Sequence, residues 1–314
     1  MTSMDADSQM VFSSIERHTV RGALLGGTQL IQAAGIDSAR LDVEVLMCHA
    51  LGFGKSQLYL SLDEQLDDGV KDQFDIFLMR RLRREPVAYI IRCQEFWSLD
   101  FRVTPDVLIP RPETERLVEI ALNCAGAFDR GLPLRILDIG TGSGAIAVSL
   151  AKELPQAQLW ATDVSLAALE VARHNAACHR VAERIQFAGS DLFDWVRESG
   201  FHLIVSNPPY VRRGEFANLT PEVSRWEPRS ALDGGADGLD YYRGIIREAN
   251  RHLLPGGALI MEIGADLGRP VAQLLSDAGN YTAAKTYQDY ACRDRVVVAS
   301  RPAADVGTSA GGLS

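Results

Sequence analysis

"LDIGTGSGAIAVSL", residues 137–150, reads as a buried strand that turns through Gly140, Gly142 and Gly144 into a helix starting near residue 144. Glycines at such a turn let the backbone approach a ligand, and the start of the helix offers unpaired N–H groups. The next strand, "QLWATD" (158–163), ends on Asp163. An acid at that point is placed to hold both hydroxyls of an adenosine ribose. Strand, glycine turn, helix and acid together predict an adenosine-containing ligand. The spacing is Gly-x-Gly-x-Gly, not the dinucleotide Gly-x-Gly-x-x-Gly, and Asp138 stands beside the loop. A carboxylate there would repel a pyrophosphate but pair with an ammonium, which favours S-adenosylmethionine over NAD. Asp191, at the end of "GSD" (189–191), has two readings: acceptor for an adenine amino group, or N-cap of a short helix.

Working outward, strands and helices alternate. "SLAALEVARHNAACH" (165–179) is a helix with Ser165 as N-cap, and "RIQFAGSD" (184–191) is a third strand. "FHLIVSNPPY" (201–210) is a fourth strand, and a helix over 239–254 is expected to end at Pro255-Gly256-Gly257. "ALIMEIG", "KTYQDY" and "RVVVASR" supply three more strands. The alternation predicts an α/β fold, a mostly parallel Rossmann-like sheet with helices on both faces and a ligand at the C-terminal strand ends. Residues 16–86 read instead as a small all-helical N-terminal domain. Leu41, Val45, Cys48 and Leu51 share one helical stripe, and Phe74, Phe77, Leu78 and Leu82 share another. Residues 87–110 alternate like a β-hairpin linker, and 111–301 form the sheet domain. Pro112 suits the first turn of a helix whose buried stripe is Leu117, Ile120, Ala121 and Cys124. The ends, 1–15 and 302–314, read as disordered tails. Arg80, Arg81, Arg83 and Arg84 form a basic cluster, read as a solvated helix face or as a docking surface.

Composition narrows the function classes. The 314 residues are 46% hydrophobic with a formal net charge of -9. An acidic chain lacks the clustered cations that non-specific nucleic-acid binding needs, so no direct nucleic-acid partner is expected. The five cysteines are odd in number, scattered and without Cys-x-x-Cys spacing, which predicts free thiols and no metal site. No signal peptide or membrane span is read, so the expected location is the cytoplasm, with no membrane partner.

The fourth strand stops at Asn207-Pro208-Pro209-Tyr210. An amide or aromatic-amine nitrogen attacks a sulfonium methyl poorly because its lone pair is delocalised. A site helps by accepting both of its N–H groups, which aims the nitrogen. The Asn207 side-chain carbonyl and the Pro208 backbone carbonyl supply two acceptors, Pro208 and Pro209 add no competing N–H, and Tyr210 is expected to lie over the planar group.

An Asn-Pro-Pro-aromatic segment resembles that of amino-methyltransferases acting on glutamine amides or on nucleic-acid bases. "EFWSLDFRVTPDVLIPRPETERLVE" (95–119), "VSNPPYV" (205–211) and "EPRSALDGGADGLDYYR" (227–243) resemble the bacterial release-factor glutamine methyltransferase family (PrmC/HemK), from about residue 20 to 300. "IPRPETE" (109–115) separates it from a related enzyme that acts on a large-subunit ribosomal protein. The resemblance implies a class I S-adenosylmethionine-dependent methyltransferase fold and a helical domain that docks substrate. The implied reaction is methyl transfer to the side-chain nitrogen of the glutamine in the Gly-Gly-Gln tripeptide of class I peptide-chain release factors, with S-adenosylhomocysteine as product. Gly140, Thr141, Gly142, Ser143, Gly144, Asp163, Asp191 and Asn207 would hold the cofactor. Asn207, Pro208, Pro209 and Tyr210 would hold the glutamine, with Asn207, Pro208 and Tyr210 as the catalytic set. "YIIRCQEFW" (89–97) departs from the family by Ile91-Arg92 where Thr-Gly is usual. Three rival readings are a base amino-methyltransferase, a ribosomal-protein glutamine methyltransferase and a non-enzymatic S-adenosylmethionine-binding module.

Overall fold

The computed structural model describes residues 18–128 and 133–303. The tail expected at 1–15 lies outside those residues, as does the one at 302–314 beyond residue 303. The chain forms two compact units. Among the described residues, one holds 18–92 with Pro221–Trp226, and the other holds 93–128, 133–220 and 227–303.

The first unit is helical. Its helices are Val20–Ala33, Ala39–Leu51, Lys55–Leu60, Asp68–Leu82 and Val87–Ile91, with Pro221–Trp226 added from later in the chain. The Thr19 side chain accepts from Gly22 N at the first N-terminus, and Gly52, in a left-handed conformation, ends the second helix. Val20, Ile31, Val43, Leu46, Met47, Phe74, Phe77 and Leu78 build the core. In Ala39–Leu51 the buried face is Val43, Leu46 and Met47, whereas Leu41 is 56% exposed. The stripe read from Leu41 is therefore offset from the buried face: its Cys48 and Leu51 pack against the core, but Leu41 does not. The basic cluster is largely consumed within the unit. Arg81 Nε donates to Asp42 Oδ2 (2.7 Å) and Arg81 Nη1 to Glu222 Oε1 (2.8 Å). Arg84 also pairs with Glu222, and Arg80 with Glu85.

The second unit opens with a hairpin, β1 (Cys93–Phe96) and β2 (Leu99–Arg102). Trp97 and Ser98 both have positive φ, the two-residue geometry that matches strand twist. The hairpin begins at Cys93 because residues 87–91 are helical. Arg92 caps that helix at φ 58, where the resembled family carries Gly. The hairpin forms regardless, at a conformational cost of about 1–2 kcal/mol for a non-glycine residue.

The main sheet contains β3 (Arg135–Ile139), β4 (Gln158–Asp163), β5 (Ile185–Gly189), β6 (Phe201–Ser206), β7 (Leu253–Glu262), β8 (Lys285–Gln288) and β9 (Asp294–Ser300). Its order is β5-β4-β3-β6-β7-β9-β8, with β9 antiparallel to both of its neighbours and the other pairs parallel. Side chains alternate between two cores: Ile136, Leu203, Val205 and Ile260 pack on one face, Leu137, Ile204, Leu259 and Met261 on the other. Pro255-Gly256-Gly257, expected as a helix stop, lies inside β7. The helix Asp240–His252 ends before it, and Gly256, at φ 82, passes its N–H to Arg301 O.

The order reverses between β3 and β6. Chain after β3 moves one way, to β4 and β5, and chain after β6 moves the other way, to β7. A crevice opens at the C-terminal ends of strands at such a switch.

Candidate active site

Register brings two loops to that crevice. Ile139 of β3 pairs with Ser206 of β6, and Ser206 Oγ donates to Ile139 O (2.8 Å). The residues that follow, Gly140 and Asn207, therefore leave the sheet side by side. The cavity between them is lined by Gly140, Thr141, Gly142 and Ser143, by Asp163 and Asp191, and by Asn207, Pro208 and Pro209. Leu108, Val164, Leu192 and Ile245 add apolar wall.

The glycine loop is fixed from below and from the side. Gly140, Gly142 and Gly144 all have positive φ. Gly144 is not a wall residue; a Cβ on it would lie 3.1 Å from Ala172 Cβ, so it sets how closely the loop packs on the helix Leu166–Cys178. Asn175, 1% exposed on that helix, donates to Ser143 O (2.8 Å) and exchanges bonds with the backbone of Arg102. It thereby ties the loop to the end of the hairpin. Asp138 lies beneath the loop, fully buried and outside the cavity wall. Its Oδ2 accepts from Thr141 Oγ1 (2.6 Å), and burial pushes its carboxyl up to about 7. It is a strut of the loop, not the cavity-facing acid read from the sequence.

Asp163 faces the cavity with its backbone side already engaged. Oδ2 accepts from Gly142 N (2.9 Å) and Oδ1 from Ser165 N (2.9 Å). Burial raises its pKa. Each oxygen keeps a lone pair, so the carboxylate can still take two ligand hydroxyls. Ser165 caps its helix through Oγ and Ala168 N. After Asp191 the chain makes a turn closed by Asp194 N to Asp191 O, with no helix to cap. Asp191 is an exposed acid on the cavity wall. Backbone N–H groups, two carboxylates and apolar wall form a donor and acceptor set that fits an adenosine carrying a cationic tail.

At the end of β6 the Asn207 Nδ2 donates to Thr114 Oγ1 (3.3 Å), which leaves its carbonyl as the free end. Tyr210, expected over the substrate, is absent from this wall and lines a separate groove with Arg212, Gly264 and Arg295. Burial raises its phenol to about 12. The reason is a backbone clasp. Val211 N donates to Leu232 O, Gly234 N to Val211 O and Arg213 N to Gly235 O. A Cβ on Gly234 would lie 2.6 Å from Tyr210 Cα, and one on Gly238 would lie 2.6 Å from Tyr210 O. "LDGGAD" thus grips the residues that follow Pro209.

The chain is 46% identical over 282 residues to the release factor glutamine methyltransferase of Cereibacter sphaeroides, a match covering 90% of this chain and 98% of that protein. The chain belongs to the release factor glutamine methyltransferase family. The counterpart from Geobacter sulfurreducens is 42% identical, covering 89% of this chain and 95% of its own length. Residues 23–91 match the PrmC N-terminal domain and 126–223 the methyltransferase small domain. Among solved structures, the hMettl16 catalytic domain in complex with MAT2A 3'UTR hairpin 6 shares the fold (TM-score 0.54, 17% identity, 70% of this chain and 82% of that one).

Several residues around this family member's cavity went unread in the sequence. Arg111 lines the wall and pairs with the buried Glu227 (2.5 Å), which joins the "IPRPETE" and "EPRSALDGG" segments. Pro228, Ser230 and Ala231 follow Glu227 into the wall. Thr114 stands beside Asn207, its Oγ1 accepting from Nδ2. His202 accepts from Arg135 N through Nδ1 (3.0 Å), at the opposite end of β6 from Asn207. Among the described residues no helix is long and apolar enough to cross a membrane, and no cluster of His, Cys, Asp and Glu is arranged to hold a metal.

Proposed function

We propose that this protein methylates the side-chain amide nitrogen of the glutamine in the Gly-Gly-Gln tripeptide of class I peptide-chain release factors, using S-adenosylmethionine, in the cytoplasm. The observation that carries this reading is Asn207 at the end of β6, its carbonyl left free at the cavity while its amide nitrogen is engaged by Thr114. S-adenosylmethionine, when bound, supplies an electrophilic methyl group on a sulfonium. Asn207 Oδ1 and Pro208 O accept the two N–H groups of the glutamine amide and aim its lone pair. Pro208 and Pro209 offer no N–H, so nothing there competes for those acceptors. The alkylated amide is a strong acid and releases its proton to water, so no side chain need act as a base. Asp163 takes the ribose hydroxyls, Asp191 the adenine amino group, and the loop Gly140–Gly144 the remainder of the cofactor. Tyr210 acts by anchoring the acceptors instead of covering the substrate. We assign docking of the release factor to the helical unit, which exposes Leu25, Leu41, Tyr59, Leu60 and Ile76.

The test is incubation with labelled S-adenosylmethionine and, in separate reactions, purified release factor, ribosomal protein and DNA. Label on the tripeptide glutamine, located by mass spectrometry, is the expected result. Label on the ribosomal protein or on DNA alone overturns the reading.

Asp163→Ala is expected to weaken cofactor binding far more than turnover at saturation. Each charge-assisted bond to a ribose hydroxyl is worth about 1.5–3 kcal/mol, and the loop also loses its hold on Gly142 N. Calorimetry that returned an unchanged affinity would remove Asp163 from the cofactor site.

A further inference from the structure

We propose that Arg111 is the specificity residue for the cofactor's α-carboxylate, and that Glu227 is the positioning residue that holds Arg111 to that task. The inference rests on the S-adenosylmethionine reading and deepens it, by naming the side chain that recognises the amino-acid end of the cofactor. That end carries a full negative charge. Taken out of water without a partner such a charge is costly, so the cavity must meet it with charged donors.

Strand order sets where that end falls. Asp191 follows β5, Asp163 ends β4, the glycine loop follows β3 and Asn207 follows β6, and these strands are neighbours in the order β5-β4-β3-β6. With adenine at Asp191 and ribose at Asp163, the amino-acid end runs on across the strand ends toward the loop and Asn207. The loop can pack against it but is a poor anion site. Gly140 N and Thr141 N donate to Thr162 O, Gly142 N to Asp163 Oδ2 and Gly144 N to Thr141 O. Those donors are spent within the protein, and residues 140–144 carry no charge. The acids on the wall, Asp106, Asp163 and Asp191, repel a carboxylate. Among the described residues Arg111 is the only Lys or Arg on that wall.

Arg111 is fixed from two sides. Thr114 N donates to Arg111 O (3.0 Å), and Thr114 Oγ1 accepts from Asn207 Nδ2 (3.3 Å), so Arg111 stands one tight turn from the contact that reaches the end of β6. Its Nη2 donates to Glu227 Oε1 (2.5 Å). The Glu227 side chain is 1% exposed and that of Arg111 32%, so the pair runs from the interior out to the cavity. A guanidinium carries five N–H donors in one rigid plane. One faces Glu227, and among the described residues Nε and Nη1 donate to no protein group. Donors left over in a planar fork match a carboxylate. Glu227 fixes that plane before the ligand arrives, which lowers the freedom lost on binding. Its Oε2 is buried without a hydrogen bond, so the carboxylate depends on Arg111 for its charge balance.

The experiment is calorimetry on the full chain with S-adenosylmethionine and with decarboxylated S-adenosylmethionine, which keeps the adenosine, sulfonium and ammonium and lacks only the carboxylate. Wild type should prefer S-adenosylmethionine by about tenfold to a hundredfold, the scale of a charge-assisted hydrogen bond. Arg111→Met should erase that preference by weakening S-adenosylmethionine alone. Arg111→Lys keeps the charge without the fork and should recover part of it. Glu227→Gln should reduce the preference without erasing it. On intact release factor, Arg111→Met should raise the KM for S-adenosylmethionine more than it lowers kcat. Equal affinity of wild type for the two compounds, a preference that survives in Arg111→Met, or equal losses for both compounds in that variant overturns the inference. So does a KM for release factor that rises in Arg111→Met while cofactor affinity holds, which would give the guanidinium to the protein substrate. Should Arg111→Met not fold with Glu227 stranded behind it, Arg111→Met/Glu227→Gln and Arg111→Lys decide by the same preference. Calorimetry needs no release factor: a wild type that prefers the carboxylate but leaves release factor unmethylated supports this inference while the substrate reading falls.

Discussion

Asn207→Ala should lower kcat on release factor by about a hundredfold or more, the loss seen when one polar group leaves a preorganised site. Cofactor affinity should change little, because the loop Gly140–Gly144 and Asp163 lie on β3 and β4 and keep their own supports. The alanine variant removes the acceptor and also strips Thr114 of its donor. Asn207→Asp is the finer test. It keeps an acceptor but adds a charge, and two effects compete. A carboxylate bonds the amide N–H more strongly. It also attracts a sulfonium whose charge disappears in the transition state, which stabilises the ground state and slows the step. The second effect acts on the full charge that is lost, so aspartate should be slower than asparagine and faster than alanine. A release factor carrying glutamate in place of the tripeptide glutamine should accept no methyl from any variant. Near-normal turnover by Asn207→Ala would reduce Asn207-Pro208-Pro209 to a strand terminator.

The sequence revealed those parts whose chemistry is local. Gly140, Gly142 and Gly144 between a strand and a helix, followed by Asp163 at a strand end, need no partner elsewhere to be read, and register then puts Gly140 beside Asn207. Periodicity alone misplaced the centre of one buried face: in Ala39–Leu51 the Leu41 and Val43 stripes both have helical spacing, and packing with Phe74 and Leu78 centres the face on Val43, Leu46 and Met47. The basic cluster looked exposed because its counter-charges are distant in sequence, Asp42 and Glu222 among them. Tyr210 was placed over the substrate because its neighbours are there. The turn after Pro209 takes it elsewhere.

Gly234→Ala should be nearly as damaging as loss of Asn207, although Gly234 is not part of the cavity wall. Its added Cβ would stand 2.6 Å from Tyr210 Cα, 2.8 Å from Tyr210 C and 2.9 Å from Pro209 O. All three are backbone atoms, so no rotamer change relieves the clash. Gly234 cannot retreat freely either, since its N–H is bonded to Val211 O (2.9 Å) and its carbonyl to Asp240 N (3.1 Å). The movable element is the segment Pro208-Pro209-Tyr210, which carries one of the two amide acceptors. Displacement of a reacting geometry by about 1 Å costs on the order of a hundredfold in rate. Overpacking a tight site costs about 1–3 kcal/mol, and a domain of this size loses roughly 2–4 °C in Tm for each kcal/mol. The expected result is therefore a large fall in kcat on release factor, a Tm lower by several degrees, and a smaller change in cofactor affinity. Gly214→Ala is the control: it lies near the same segment, its φ is ordinary, and an added Cβ meets nothing within 4 Å. If Gly234→Ala and Gly214→Ala turn over alike and melt alike, the clasp does not hold the acceptors. The close approach of residues 232–240 to Tyr210 would then have no part in catalysis.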